Sequence, residues 1–449
     1  MRSYTFVISP TDIDASNTCF APGHQYTDVP GRQRPPAWAR GRRIQAVSVT
    51  RVLLISPVPD RDPPSGDVTY TRQLLASPPP GVEYTTYDQA LDDGTLVEVG
   101  SRSAVSTTQG LARVGQLLVA AARKAEHVVR RSGLTYREPV RVFRVQNDAF
   151  DLVHVHVFSH LFLGTRPPVL ASAGGPLRWV YGDAWGWSDR RLRIADAVDT
   201  LIGAAWNATL CGRRLGQANL FVAPSTYLQR WLLARGWNPS DIVVQPNYLV
   251  PPPGGSASPR SAHTPTLGFV ARDFDAKGGH TVLETFARLR DSIPDLRLLV
   301  AGSPPPADAP TAGITWMGEV SREELLQDVL PQVDVLVYPS HFDTGVPYSA
   351  MEALSLGIPA VVSDYRSLPD LVGDDAGTVC PAGDVDAFVA SMLRLLEDAD
   401  QWDSASTAAA QRFNERFSAR SQAPRLRTIY DLALRRKSVS DRRRRRWVT

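Results

Sequence analysis

The chain has 449 residues, of which 43% are hydrophobic and 21% charged, so it is a globular protein with too much core for one ordinary domain; two are expected. Cys19, Cys211 and Cys380 have neither metal-ligand nor disulfide-framework spacing, which excludes a cysteine-stapled scaffold and fits a reducing compartment. The net charge is only +3, but Arg442 to Arg446 form one basic run, and no apolar run approaches the ~20 residues of a membrane-spanning helix.

Residues 1–50 carry many Pro and Gly residues and a basic patch at Arg40 to Arg43, and are expected to be a flexible extension. Met1 to Pro10 lacks the charged start and long apolar core of a signal peptide. The first firm strand is Arg51 to Ser56. Ser65 and Gly66 then precede an amphipathic segment, so Gly66 marks either a phosphate-sized cradle at a helix start or a plain tight turn. The G-x-G-x-x-G fingerprint is absent, which disfavours dinucleotide binding. Thr107 to Arg131 has helical periodicity. Asp151 to Phe158 reads as a strand with His154 and His156 on one face. His160, just beyond that strand, is the better site candidate, because ligands gather at the carboxyl ends of strands in open α/β sheets. Pro168 to Ser172 is another strand, followed by an adaptable loop with Ala173, Gly174 and Gly175. Trp179, Tyr181, Trp185 and Trp187 come next, as a sugar-ring platform or as the core of an interdomain wall. Ala218 to Ser225 is a strand ending in Pro-Ser, and Pro246 to Pro265 has the composition of a linker.

The second half opens on a strand, Thr266 to Ala271. Arg272 and Lys277 lie in the loop that follows, before a helix near His280. Lysine occurs in this chain only at positions 124, 277 and 437, so Lys277 stands out against the arginines. A strand at Leu296 to Ala301, a segment Ile314 to Val320 and a helix Ser321 to Leu330 with a Ser321/Glu324 capping box come next. Asp334 to Tyr338 is a short buried strand. After a tight loop with Gly345 and Pro347, Ser349 to Leu356 is helical, Gly357 and Pro359 stop it, and Ala360 to Val362 starts a further strand. The unit is a βαβ of a parallel sheet. Its helix start offers the N–H groups of Tyr348 and Ser349 to an anion, with Glu352 about one turn further in.

GVPYSAMEALSLGIPAVVSD, residues 345–364, resembles the donor-sugar motif of the family-4 retaining glycosyltransferases, and Arg272 to Gly278 resembles their G-R-L-x-x-x-K-G segment. The resemblance is strong over about residues 266–435 and looser over 51–250. It implies a GT-B fold: α/β, with two doubly wound parallel-sheet domains facing across a cleft and C-terminal helices crossing back to the first domain. The implied division is an acceptor-side domain at 51–250, a linker at 251–265, a nucleotide-sugar domain at 266–408, closing helices at 409–436 and a basic tail at 437–449. The implied activity is retaining, metal-independent transfer of a sugar from a nucleotide diphosphate sugar, as co-substrate, to an acceptor hydroxyl. No further cofactor is called for.

Residue by residue, the resemblance puts the nucleotide ribose on Glu352. The sugar-binding Glu of the family pattern falls on Thr344, a departure, with Asp343 one residue away. Arg272 and Lys277 hold the diphosphate. Gly345, Val346, Pro347, Tyr348 and Ser349 complete the donor loop, Gly66 approaches from the first domain, and the loop around Gly318 and Val320 meets the base. The histidine that many relatives carry where Ala173 or Gly174 stands is missing, so His160, Gly174, Trp179 and Trp185 are the acceptor-side candidates. Partners implied are a nucleotide sugar and a glycan or lipid-linked acceptor. Nucleic acid is not expected, and the location is cytoplasmic, with the basic tail as contact to the inner membrane surface. Two alternatives remain open at this point: a sugar-nucleotide-binding protein without transferase activity, and a sugar-nucleotide epimerase of similar architecture.

Overall fold

The structure, a computed structural model, describes residues 49–59, 65–98, 113–137, 141–146, 148–156, 160–162, 167–173, 175, 177–183, 185–209, 220–252, 264–343 and 345–436. The expected N-terminal extension up to residue 48, most of the linker and the basic tail lie outside them, as do Gly174 and Thr344. The described residues form one compact unit.

The strands of the first lobe are β1 (Thr50–Ile55), β2 (Val82–Thr86), β3 (Leu96–Glu98), β4 (Arg141–Val145), β5 (Leu152–Val155), β6 (His160–Phe162), β7 (Val169–Ser172), β8 (Leu220–Ala223) and β9 (Ile242–Val244). Those of the second are β10 (Thr266–Val270), β11 (Arg297–Ala301), β12 (Ile314–Gly318), β13 (Val335–Tyr338), β14 (Ala360–Ser363) and β15 (Gly377–Cys380). Two six-stranded sheets result, ordered β2-β1-β5-β7-β8-β9 and β12-β11-β10-β13-β14-β15, and every pairing within them is parallel. Parallel strands need helical crossovers that cover both faces, which is why β5, β7, β8, β10 and β13 are buried along their whole length and read as unbroken apolar runs. In the second lobe one face of the sheet packs on Met351, Leu354 and Phe413, the other on Phe286, Leu289 and Phe388.

Each strand order reverses once, between β1 and β5 in the first lobe and between β10 and β13 in the second. Helices leave such a sheet to opposite sides at the reversal and open a crevice at the strands' carboxyl ends. The helix Gly66–Ala76 follows β1, Gly279–Ser292 follows β10, and Tyr348–Ser355 follows β13.

The expected closing segment 409–436 divides. Phe413 and Phe417 belong to the second lobe's core, and the helix Ala419–Arg435 packs on the first lobe through Ala423, Leu426, Ile429 and Tyr430. Arg427 ties that helix to Thr50 Oγ1 at 2.8 Å and to the Gly81 carbonyl at 3.0 Å. His160 departs from expectation. The strand carrying His154 ends at Val155, and His160 opens β6 in a separate sheet, β3-β4-β6, paired with Arg141. It therefore does not stand at the carboxyl end of the main sheet.

Candidate active site at two switch points

At the second lobe's reversal, the loops after β10 and β13 are pressed together. Gly278, at φ +80°, makes this possible: a Cβ there would meet the Pro339 carbonyl oxygen at 2.4 Å. The contact brings Lys277 Nζ to 2.6 Å from Asp343 Oδ1, over the ring of Phe342. Asp343 is buried beside the Tyr338 hydroxyl, and among the described residues its Oδ2 has no hydrogen-bond partner. Arg272 is exposed in the same loop as Lys277.

The helix Tyr348–Ser355 begins beside them, because Ser349 Oγ donates to the Val270 carbonyl at the end of β10 (3.3 Å). Pro347 is its N-cap rather than its first helical residue, and among the described residues it has no side-chain cap. Its first N–H groups therefore point outward. Val346 is buried behind them, and Gly345 is half-buried. Glu352, one turn on, is 4% exposed and accepts from Arg322 Nε at 2.7 Å; Arg322 also donates to the Val250 carbonyl. Burial holds the Glu352 carboxyl above the usual carboxylate range, with Arg322 pulling the other way. Arg322 was not singled out from sequence, where it is one surface-type arginine among many. Gly318 ends β12 at φ +66°, with open space where a side chain would go, and its carbonyl accepts from Gly302 N at 2.7 Å. Val320 packs partly buried on the second lobe's core.

The first lobe builds its own pair at its own reversal. Gly66 opens the helix after β1, capped by Ser65 Oγ on Val68 N, and none of the described residues occupies the space where its side chain would be. Next to it, Asp67 Oδ1 lies 3.2 Å from Nε2 of His156, which directly follows β5. His156 is 3% exposed and Asp67 56%. The Tyr70 ring stacks on the imidazole at 3.7 Å. Sequence reasoning preferred His160. From sequence His156 sits inside a strand expected to run to Phe158; the strand ends at Val155, which puts His156 at its carboxyl end, and only the strand order shows that it flanks the reversal.

Tyr348 links the two pairs. It packs against the apolar clusters of both lobes, and its hydroxyl is buried without a partner among the described residues. Burial raises its pKa, and the charges of Asp67 and Glu352, one from each lobe, push the same way.

Trp179 is a correction to the acceptor-side candidates. It is 5% exposed, flanked by Tyr227 and Trp231 and covered by Arg366 at 4.3 Å. Arg366 pairs with Asp183 at 2.6 Å, and Asp370 caps the helix Thr226–Leu233 through Thr226 N at 2.7 Å. Trp179 is thus part of the wall joining the lobes and presents no face to a sugar. Trp185 is 49% exposed, stacked on Tyr181 with Arg137 over its ring.

A family model described as glycosyl transferases group 1 matches residues 264–398. O-antigen chain mannosyltransferase B of Escherichia coli is 38% identical over 105 residues, 23% of this chain and 26% of its own length. The MMP alpha-(1->4)-mannosyltransferase of Mycolicibacterium hassiacum is 27% identical over 317 residues, 66% of this chain and 73% of its own. The chain thus spans about a quarter of the first relative and about three quarters of the second. Among solved structures, sucrose-phosphate synthase from Thermosynechococcus elongatus superposes with a TM-score of 0.53 at 18% identity, over 85% of this chain and 98% of that one. Anabaena Alr3699/HepE in complex with UDP and glucose gives 0.53 at 13% identity, over 85% and 100%. At these identities the superpositions speak for the fold. The chain has the GT-B fold, and its residues 264–398 match the model of the glycosyl transferases group 1.

Proposed function

We propose that the chain moves a sugar from a nucleotide diphosphate sugar to an acceptor hydroxyl, in polysaccharide or glycolipid synthesis. The observation that carries this reading is the meeting of two switch points: Lys277, Asp343 and an uncapped helix start in one lobe, Asp67 and His156 in the other, with Tyr348 between them. The relatives' printed names, two of them mannosyltransferases, support the same class. They favour neither a binding protein without activity nor an epimerase.

In the proposed reaction, the diphosphate lies against the N–H groups of Tyr348 and Ser349, with Lys277 and Arg272 supplying positive charge. That charge does not require a metal, so turnover should survive EDTA. Glu352 takes the ribose hydroxyls, with Arg322 holding the carboxylate in place. The bond from the anomeric carbon to the diphosphate oxygen breaks, and the electron pair stays on the diphosphate. The acceptor oxygen bonds to the same face of the sugar, and its proton passes to the diphosphate oxygen, which gives retention. The protein's share is positioning and charge stabilisation in a site that lobe closure dries.

The test is a thermal-shift screen of UDP-, GDP- and ADP-linked sugars, followed by mass detection of released nucleoside diphosphate with and without glycan or lipid-linked acceptors. Stabilisation and release are expected with at least one donor. Binding without release, across several donors and acceptors, would leave the non-catalytic reading. The proposed location is the cytoplasmic face of a membrane, reached through Arg442 to Arg446. Among the described residues, no helix is long and apolar enough to cross a membrane. Cosedimentation with anionic liposomes should therefore be lost when residues 437–449 are removed, and binding that survives their removal counts against the tail.

A further inference from the structure

Behind Asp67, buried polar side chains form one connected chain, and each link fixes the direction of the next. A carboxylate only accepts, so His156 Nε2 carries the hydrogen that meets Asp67 at 3.2 Å. In the neutral ring, His156 Nδ1 is then bare and accepts from Ser172 Oγ at 2.9 Å. Ser172 Oγ, its hydrogen committed, accepts from His154 Nε2 at 2.9 Å. His154 Nδ1 is bare in turn and accepts from the Tyr430 hydroxyl at 2.6 Å, and the Tyr430 oxygen accepts from Tyr84 at 2.8 Å. The Tyr70 hydroxyl lies 3.4 Å from Ser172 Oγ and 3.3 Å from His154 Nε2, where it can donate to the serine oxygen and share the His154 N–H. Burial drives the His154 pKa down to about 3, so His154 stays neutral with the single N–H that the chain requires.

The chain starts on the helix Ala419–Arg435, which crosses back from the second lobe, and ends in the crevice between β1 and β5. At its outer end the His156 N–H is turned to the half-exposed Asp67 carboxylate, and a hydroxyl that enters between them takes over both ends of that contact. A sugar hydroxyl, both donor and acceptor, can use both at once. We propose that Tyr430, His154 and Ser172 are positioning residues that hold His156 as the Nε2–H tautomer, so that His156 and Asp67 together receive a sugar hydroxyl in the cleft. The hydroxyl contact rests on the transferase reading above; the tautomer does not.

The test reads the ring nitrogens directly by ¹⁵N NMR of the full chain, with His156 assigned through a His156→Gln variant. In the wild type, Nε2 should be of the protonated type and Nδ1 of the bare type. Ser172→Ala should release the ring to a mixture of tautomers. Tyr84→Phe, which removes one hydroxyl and little packing, should weaken the preference and keep the fold. In a diphosphate-release assay with UDP-glucose and GDP-mannose, Ser172→Ala should lower kcat about tenfold with the donor KM unchanged. Asp67→Asn, which replaces an obligate acceptor by a group that can donate, should shift the His156 tautomer too. A wild-type His156 with its hydrogen on Nδ1, or spectra unchanged in Ser172→Ala and Asp67→Asn, would overturn the proposal. An ordered tautomer with no release from any donor would sink the transferase reading and the hydroxyl contact, and leave the positioning chain standing.

Discussion

Replacing Lys277 with alanine separates two roles carried by one side chain. Lys277 and Asp343 are 17% and 9% exposed, with 2.6 Å between Nζ and Oδ1, and the second Asp343 oxygen is buried without a partner among the described residues. Removing the ammonium strands a largely desolvated carboxylate, at a cost of ~1–3 kcal/mol in stability. If Lys277 also neutralises the leaving diphosphate, its loss removes ~3–4 kcal/mol of transition-state stabilisation, or ~10²–10³ in rate. Removing both partners of a buried pair is far less costly than removing one. Lys277→Ala should therefore melt lower and turn over ~10²–10³-fold more slowly. Lys277→Ala/Asp343→Ala should regain most of the stability and fall well below Asp343→Ala alone in rate. Thermal unfolding and diphosphate release, measured on all four proteins, give the complete cycle. A double variant as fast as Asp343→Ala would refute the reasoning, because Lys277 would then serve only to neutralise Asp343.

Arg322→Ala should destabilise the protein in a pH-dependent way. Glu352 titrates above its ordinary value when folded, and losing Arg322 raises it further, so the folded variant holds a proton that the unfolded chain has released. Stability then falls as pH rises above the ordinary carboxylate range, and the variant's deficit is absent below it. With Arg322 37% exposed, the buried-pair cost is discounted to ~1–2 kcal/mol at pH 7.5. Denaturant unfolding at pH 4 and pH 7.5 checks this, and equal deficits at both would contradict it. Trp179→Ala should cost ~3–5 kcal/mol by emptying the interlobe wall, whereas Trp185→Ala should leave the melting temperature nearly unchanged; the reverse ranking would show the burial to be misread.

The strands were legible because parallel strands covered on both faces must be apolar throughout, as in residues 335–338 and 152–155. The helix after β13 was legible from Pro347, Gly357 and Pro359, within a residue at each end. What the sequence could not carry was spatial order. Nothing local in Asp67 or His156 says that β1 and β5 are neighbours, nor that Arg322, after β12, reaches Glu352. Trp179 shows the same limit: an exposed platform and a buried wall have the same composition, and only Arg366, 187 positions on, decides between them. The motif's acidic position falls on Thr344, outside the described residues, while the carboxylate one position earlier is buried against Lys277.

The most direct measurement is a crystal structure with a nucleoside diphosphate bound. The account puts the diphosphate within hydrogen-bond reach of the Tyr348 and Ser349 backbone N–H groups and of Lys277 Nζ, with both ribose hydroxyls on Glu352. A nucleotide bound away from the β10–β13 crevice, with Lys277 still on Asp343 and Glu352 untouched, would contradict it.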